Sequence, residues 1–79
     1  MELNVLLFAS YAEAIGSSSV RITVPDGASA GDVVDAVRAL ASGRGLPPAA
    51  IAVNQSYAPR TTRVSVGDEV AIIPPVAGG

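Results

Sequence analysis

One stretch of this sequence, residues 30 to 42, has the period of an amphipathic α-helix, and most of the remaining chain alternates like β-strand. Its apolar residues recur at spacings of three and four and form one stripe, which consists of Val33, Val34, Val37, Leu40 and Ala41. Ser29, followed three residues later by Asp32, predicts a capping box at the helix start. Pro47-Pro48 prevents the helix from continuing. The fold therefore has one main helix with a single face to cover.

Short segments with a period of two surround this helix and predict β-strands. They are ELNVLLF at 2–8, SVRITV at 19–24, AIAVNQ at 50–55, a weaker segment near 62–66, and a last strand through Val70 and Ile72. SYAEAIG, between the first two, can form one helical turn. One helix against a mixed sheet of four to five strands indicates an α+β fold, a β-grasp or ubiquitin-like roll. At 79 residues the chain is predicted to be a single domain, 1–79.

The composition excludes several classes of chemistry. The chain has neither cysteine nor histidine, which removes thiolate zinc sites and the Ser-His-acid triad, so we predict no metal site. A net charge of −2 argues against nucleic-acid binding. No apolar run is long enough to span a membrane, and the N-terminus lacks the basic region of a signal peptide. The sequence favours a cytoplasmic domain without catalysis of its own.

The alternation of the first and last strands predicts an apolar patch on the sheet face away from the helix. If the odd-numbered residues of the first strand face the helix, Leu6 and Phe8 point out of the other side. By the same parity Ile72 points inward and Ile73 outward, and Tyr57 is a further candidate. Such a patch is typical of a protein interface, although scattered exposed apolar residues are also common.

The chain ends in a segment with few packing side chains, which we interpret as an extended tail. It consists of Pro74, Pro75, Val76, Ala77, Gly78 and Gly79. The two prolines favour a polyproline II conformation, so residues 74–79 can project roughly 19 Å. The glycines can pass a constriction that stops any other residue. The sequence predicts a tail that delivers the carboxylate of Gly79 into the active site of a partner; the alternative is an inert, frayed end.

Four segments carry a resemblance to a known family: VLLFA at 5–9, AVNQ at 52–55, GDEVAIIPPV at 67–76 and the final GG. Together they make the chain similar, over essentially its whole length, to the small sulfur-carrier subunit of molybdopterin synthase (the MoaD family of ubiquitin-related, ThiS-like carriers). Two positions depart from that pattern. Ala12-Glu13 stands where many members have Arg-Glu, and Ile73 stands where a larger aromatic residue is common.

The resemblance implies a function and its partners. An adenylating enzyme of the ubiquitin-activating type would use ATP to activate the carboxylate of Gly79, and a sulfur donor would displace AMP and leave a thiocarboxylate. The large synthase subunit, which carries the catalytic residues, would bind the apolar sheet face and accept the tail in a heterotetramer of two small and two large subunits. Sulfur would then pass to the cyclic pterin monophosphate precursor to form the molybdopterin dithiolene. The carrier itself would bind no cofactor.

Three alternatives stay open. The chain can carry sulfur for thiamine, cysteine or tRNA thiolation, although the Pro-Pro-Val stretch favours the molybdopterin pathway. It can be a ubiquitin-like modifier whose Gly79 forms an isopeptide bond with a target lysine. It can also be a plain interaction domain with an inert tail.

Overall fold

Five strands form one mixed sheet in the computed structural model, which describes residues 1–41 and 45–75. The elements along the chain are β1 (Glu2–Leu7), α1 (Ala9–Ile15), β2 (Ser19–Thr23), α2 (Ala30–Leu40), β3 (Ala50–Val53), β4 (Ser56–Ala58) and β5 (Val70–Ile73). The order across the sheet is β2-β1-β5-β3-β4, with β1 and β5 parallel and the other neighbours antiparallel. The predicted α+β, β-grasp architecture is confirmed.

The core lies between the inner face of the sheet and the two helices. Every second residue of β1 and β5 points into it, and the side chains of Val5, Val70 and Ile72 are completely buried. Val33 and Val37 of α2 are also completely buried and belong to the same cluster. The predicted parity of the first and last strands is therefore confirmed.

The main helix begins where the sequence predicts. The Ser29 hydroxyl accepts a hydrogen bond from the Asp32 N–H (3.2 Å), and the Asp32 carboxylate accepts one from the Ser29 N–H (2.9 Å), which confirms the capping box. The stripe prediction fails at one position. Leu40 is 55% exposed, whereas Ala41 next to it is buried. At the end of the helix only Ala41 of these two therefore faces the core.

The prediction of a strand near residues 62–66 is wrong. That segment makes a single bridge, between Ser29 and Arg63, and the extra strand is β4 instead. Asn54 and Gln55 have φ values of 51° and 70°, so they turn the chain sharply after β3. A two-residue turn with positive φ values is the usual geometry of a tight hairpin. The strand that pairs with β3 therefore follows it directly, as β4, and lies before residue 62 in the sequence.

The segment SYAEAIG forms more helix than the single predicted turn. Helix α1 has seven residues and ends at Gly16, which has a φ of 87°. It connects β1 and β2, which are antiparallel neighbours. Neither helix in the described part of the chain has the length and apolar character that crossing a bilayer requires.

Candidate functional site

The outer face of the sheet carries a straight row of apolar residues across four neighbouring strands. Leu6 of β1 pairs with Ala71 of β5, Ala71 pairs with Ala52 of β3, and Ala52 pairs with Tyr57 of β4. Residues in direct register point to the same side of a sheet. Ile73, two residues beyond Ala71, points to this side as well. A row of apolar residues therefore crosses the face opposite the helices from β1 to β4.

Exposure divides this surface into a rim and a centre. Tyr57 is 76% exposed and Phe8 47% exposed, while Leu6 and Ile73 are half-buried. The central alanines are almost covered by their neighbours, with Ala52 at 8% and Ala71 at 7% exposure. We call this surface the outer patch; its members are Leu6, Phe8, Ala52, Tyr57, Ala71 and Ile73. The register places Leu6, Tyr57 and Ile73 on this face, and Phe8 follows the end of β1 in an extended conformation, on the same side as Leu6. Their role as a partner interface stays a prediction.

The two central alanines are members that the sequence prediction missed. Alanine carries little signal in a strand, and its place on the outer face follows only from the register of β3 with β5. Flanked by larger side chains, Ala52 and Ala71 give the patch a low centre between Leu6 and Tyr57. A surface of this shape suits a protruding apolar group of a partner.

Pro74 and Pro75 follow β5 at the end of the sheet where Phe8 follows β1. Because β1 and β5 are parallel, their carboxyl ends lie side by side. Pro74 is buried, whereas Pro75 is exposed; we call these two residues the tail base. The remaining predicted tail residues, 76–79, lie outside the described residues. The threading role of the tail and the chemistry of Gly79 stay predictions.

Helix α1 is fixed near this edge by a buried tyrosine that the sequence analysis did not single out. Tyr11 is completely buried, and its hydroxyl donates a hydrogen bond to the Pro47 carbonyl at 2.6 Å. The Arg38 guanidinium donates to the same hydroxyl at 2.8 Å and to the Pro47 carbonyl at 3.2 Å. These bonds connect both helices with the segment that leads into β3. The only signal in the sequence is an aromatic residue in a short helical turn.

A polar cluster lies at the opposite end of β5, where the strand begins. The Asn54 amide donates to the Asp68 carboxylate at 3.1 Å, and the Ser65 N–H donates to it at 2.7 Å. These two hydrogen bonds, the Asn54 amide first, lower the pKa of Asp68 below its ordinary value of 3.8, and slight desolvation opposes them. The cluster joins AVNQ with GDEV, two of the segments that carry the family resemblance.

An open groove on the surface of the domain offers little for a ligand. It is lined by Gly27, Ser29, Gly31, Asp32, Arg60, Thr61 and Arg63. The first N–H groups of α2 are already occupied, since Ala30 donates to the Thr62 carbonyl and Gly31 to the Arg60 carbonyl. Among residues 1–41 and 45–75, no three acidic side chains lie close enough together to hold a metal ion. Among the described residues, the outer patch together with the tail base is the best candidate for a functional site.

Comparison with known sequences gives a consistent result. Residues 5–79 match the model of the ThiS family. The chain is 34% identical over 83 residues to the molybdopterin synthase sulfur carrier subunit of Dictyostelium discoideum, covering 99% of this chain and 96% of that protein. It is 37% identical over 85 residues to the subunit of the same name from Haemophilus influenzae, covering 98% and 99%.

Two solved structures extend the comparison. SAMP1 from Haloferax volcanii superposes with a TM-score of 0.82 at 30% identity, with both chains covered completely. A chain from the complex of subunits 1 and 2 of the molybdopterin-converting factor of Helicobacter pylori superposes with a TM-score of 0.59 at 25% identity, again over both full lengths.

Proposed function

This chain belongs to the ThiS family, and from that premise we propose that it is the sulfur carrier subunit of a molybdopterin synthase. The observation that carries the proposal is its near full-length similarity to two subunits of that name. The apolar outer patch beside the tail base supports it, because a carrier must both dock on a partner and extend its terminus. We assign the domain to the cytoplasm.

The proposed chemistry takes place at the carboxylate of Gly79. A carboxylate oxygen attacks the α-phosphate of ATP on an adenylating enzyme, and pyrophosphate leaves. Hydrosulfide supplied by a sulfur donor then attacks the acyl carbon, the bond from that carbon to the phosphate oxygen breaks, AMP leaves with loss of one proton, and a thiocarboxylate remains on Gly79. A thiocarboxylate is a strong sulfur nucleophile, so the carrier needs no catalytic side chain of its own.

The proposed partner is the large subunit of the synthase. The complex of subunits 1 and 2 from Helicobacter pylori supports a two-subunit arrangement. We propose that the large subunit covers the outer patch, receives residues 75–79 in its active site, and supplies the catalytic residues. Two carriers and two large subunits would form a heterotetramer. Successive carriers would then give their sulfur atoms to the cyclic pterin monophosphate precursor.

A second candidate function has a specific observation in its favour. The similarity to SAMP1, which includes 30% identity over the whole chain, favours a protein modifier of the kind described for a small archaeal modifier protein 1. In that role the activated carboxyl of Gly79 reacts with a lysine of a target. The amine nitrogen attacks the acyl carbon, AMP leaves, and an isopeptide bond forms. Sulfur carriage and modification share the activation step and differ in the acceptor.

The test is the intact mass of the purified protein after incubation with ATP, the adenylating enzyme of its organism and a sulfur donor. We expect a gain equal to one exchange of oxygen for sulfur, and no gain in a variant that lacks Gly79. An unchanged mass, while a control carrier is converted, would overturn the proposal. A gain that matches a covalently attached protein would favour the modifier.

A tail variant separates docking on the large subunit from delivery of the sulfur. Gly78→Val adds a branched side chain next to the reacting carboxylate. We expect this variant to bind the large subunit with unchanged affinity but to transfer no sulfur, because the side chain blocks the constriction. Full activity of Gly78→Val would rule out a narrow channel for the tail.

A further inference from the structure

Tyr57, the most exposed member of the outer patch, lies on the strand that the core supports least. Strand β4 is an edge strand of three residues, paired only with β3. Its neighbours in sequence from Asn54 to Arg60 are exposed or half-buried. Burial of apolar surface therefore contributes little to the position of this segment. Polar contacts hold it at both ends.

The first contact is made by Asn54. The last residue pair of β3 and β5 is Val53 with Val70, so Asn54 comes opposite Glu69, to whose carbonyl it donates its N–H at 2.8 Å. In an antiparallel pair the backbone carbonyl of Asn54 would accept the return bond. Here the chain turns away with a φ of 51°, and the side-chain oxygen of Asn54 accepts from the Glu69 N–H at 3.0 Å. The side chain replaces a backbone carbonyl.

The amide nitrogen of Asn54 completes this contact. It donates to the Asp68 carboxylate at 3.1 Å, and Asp68 in turn accepts from the Ser65 N–H. Both ends of the Asn54 amide are therefore used. Aspartate at this position keeps an acceptor for Glu69 but loses the donor to Asp68 and places a second negative charge beside it. The geometry requires asparagine.

The second contact is made by Arg60, beyond the other end of β4. Its guanidinium donates to both carboxylate oxygens of Asp35 on α2, at 3.1 and 3.0 Å. Its backbone carbonyl accepts from the Gly31 N–H at 2.9 Å. Gly31 leaves room for this approach, since a Cβ atom there would lie only 3.1 Å from the Cβ of Arg60. Arg60 thus lies across the first turn of α2.

We propose that Asn54 and Arg60 are positioning residues of the outer patch, which hold the segment from 54 to 60 so that Tyr57 meets the large subunit in a fixed place. The inference rests on the proposed docking of the outer patch. A surface side chain that is already ordered loses less conformational entropy on binding. Loss of either contact should therefore weaken docking through Tyr57 and leave the rest of the patch unchanged.

The test is a double-mutant cycle on the affinity for the large subunit of the same organism, measured by titration calorimetry. We expect Asn54→Ala and Arg60→Ala each to weaken binding by roughly threefold to tenfold. In a Tyr57→Ala background the same changes should have almost no further effect. Arg21→Ala is the matched control: Arg21 lies on the opposite edge strand, β2, in an exposed ion pair with Glu2, and we expect no coupling with Tyr57.

Full additivity with Tyr57→Ala would overturn the proposal, as would unchanged affinity in both single variants. If Tyr57→Ala alone leaves the affinity unchanged, the two residues do not act through Tyr57 and the proposal also fails. Binding of the unmodified carrier to the large subunit reports separately on the proposed function.

A second measurement needs no partner. Amide hydrogen exchange in the β4 backbone of the free protein should accelerate in Asn54→Ala and Arg60→Ala, while exchange in β1 stays as in the unmodified chain. Unaltered exchange in β4 would contradict the proposal even if docking is lost. Asp68→Asn, which keeps an acceptor for the Asn54 amide, and Arg60→Lys serve as milder variants if the alanine variants fail to fold.

Discussion

Ile72 and Ile73 are consecutive residues with the same side chain, and they serve opposite faces of the sheet. Ile72 is completely buried between the sheet and the helices. Ile73 is half-buried on the outer face, where it pairs with Ala50. The inner face uses apolar side chains to stabilise the fold, whereas no element of the described chain covers the outer face. Hydrophobicity alone does not distinguish these roles. They depend on which face of the strand the side chain occupies and on whether the helices cover that face.

Truncating each isoleucine in turn tests whether the two faces differ in their contribution to stability. Ile72→Ala removes three buried carbons from a closely packed core and should lower the free energy of unfolding by about 2–5 kcal/mol. Ile73→Ala should lower it by less than half as much, because its side chain is already partly in water. Denaturation in urea measures both. Equal losses would mean that the outer face contributes to stability as much as the core.

The next largest effect is expected at the exposed end of the outer patch. Phe8→Asp places a charge among apolar residues next to the tail base, which should weaken binding to the large subunit at least tenfold, or about 1.4 kcal/mol. The free energy of unfolding should change little, because Phe8 is half exposed. Glu13→Gln, an exposed change on α1, is the control. An unchanged affinity in Phe8→Asp would separate Phe8 from the docking surface.

The two faces differ in how far the sequence predicts them. Alternation in β1 and β5 assigns Leu6, Phe8 and Ile73 to the outer face, and helical periodicity with a capping box locates α2. These signals are local, and burial on one face enforces them. The sequence offers Tyr57 only as a further candidate for the outer face, because its pattern places the weak strand near 62–66 and not at Ser56–Ala58. A three-residue strand is too short to show a period.

Contacts between distant residues account for the rest. Asn54 meets Asp68 and Glu69 fourteen and fifteen residues later, and Arg60 meets Asp35 twenty-five residues earlier. Exposed polar residues carry no periodic signal, so their partners follow only from the folded topology. The buried tyrosine of α1 was missed for a similar reason: Pro47, which accepts its hydrogen bond, lies thirty-six residues away.

The two tyrosines give a smaller test of the same comparison. Tyr11→Phe removes the hydroxyl that joins Arg38 and the Pro47 carbonyl in the interior, and should cost about 1–2 kcal/mol of stability. Tyr57→Phe removes an exposed hydroxyl, and its effect on stability should lie within about 0.5 kcal/mol. Thermal unfolding followed by circular dichroism measures both. Equal effects would show that the outer hydroxyl makes a contact of similar strength.

The smallest expected effect is a loss of stability at acid pH, caused by protonation of Asp68 in its contact with Asn54. The Asn54 amide and the Ser65 N–H lower the pKa of Asp68 in the folded protein, so its carboxylate stabilises the fold above its ordinary pKa. That stability is lost as the pH falls through the lower, folded value. The inner face should have no comparable response, since none of its buried residues in the described ranges carries a carboxylate.

Between about pH 5 and pH 2, unfolding free energy should therefore fall more steeply in the unmodified chain than in Asp68→Asn. Urea denaturation at a series of pH values measures the difference, and Glu13→Gln is again the control, because no described residue hydrogen-bonds its carboxylate. The protection of the β4 amides, taken relative to the intrinsic exchange rate at each pH, should fall over the same interval before that of β1 does. Parallel slopes in the unmodified chain and Asp68→Asn would mean that the charge of Asp68 does not stabilise the segment that carries Tyr57. The hydrogen bonds between Asn54 and Glu69 would then account for its position.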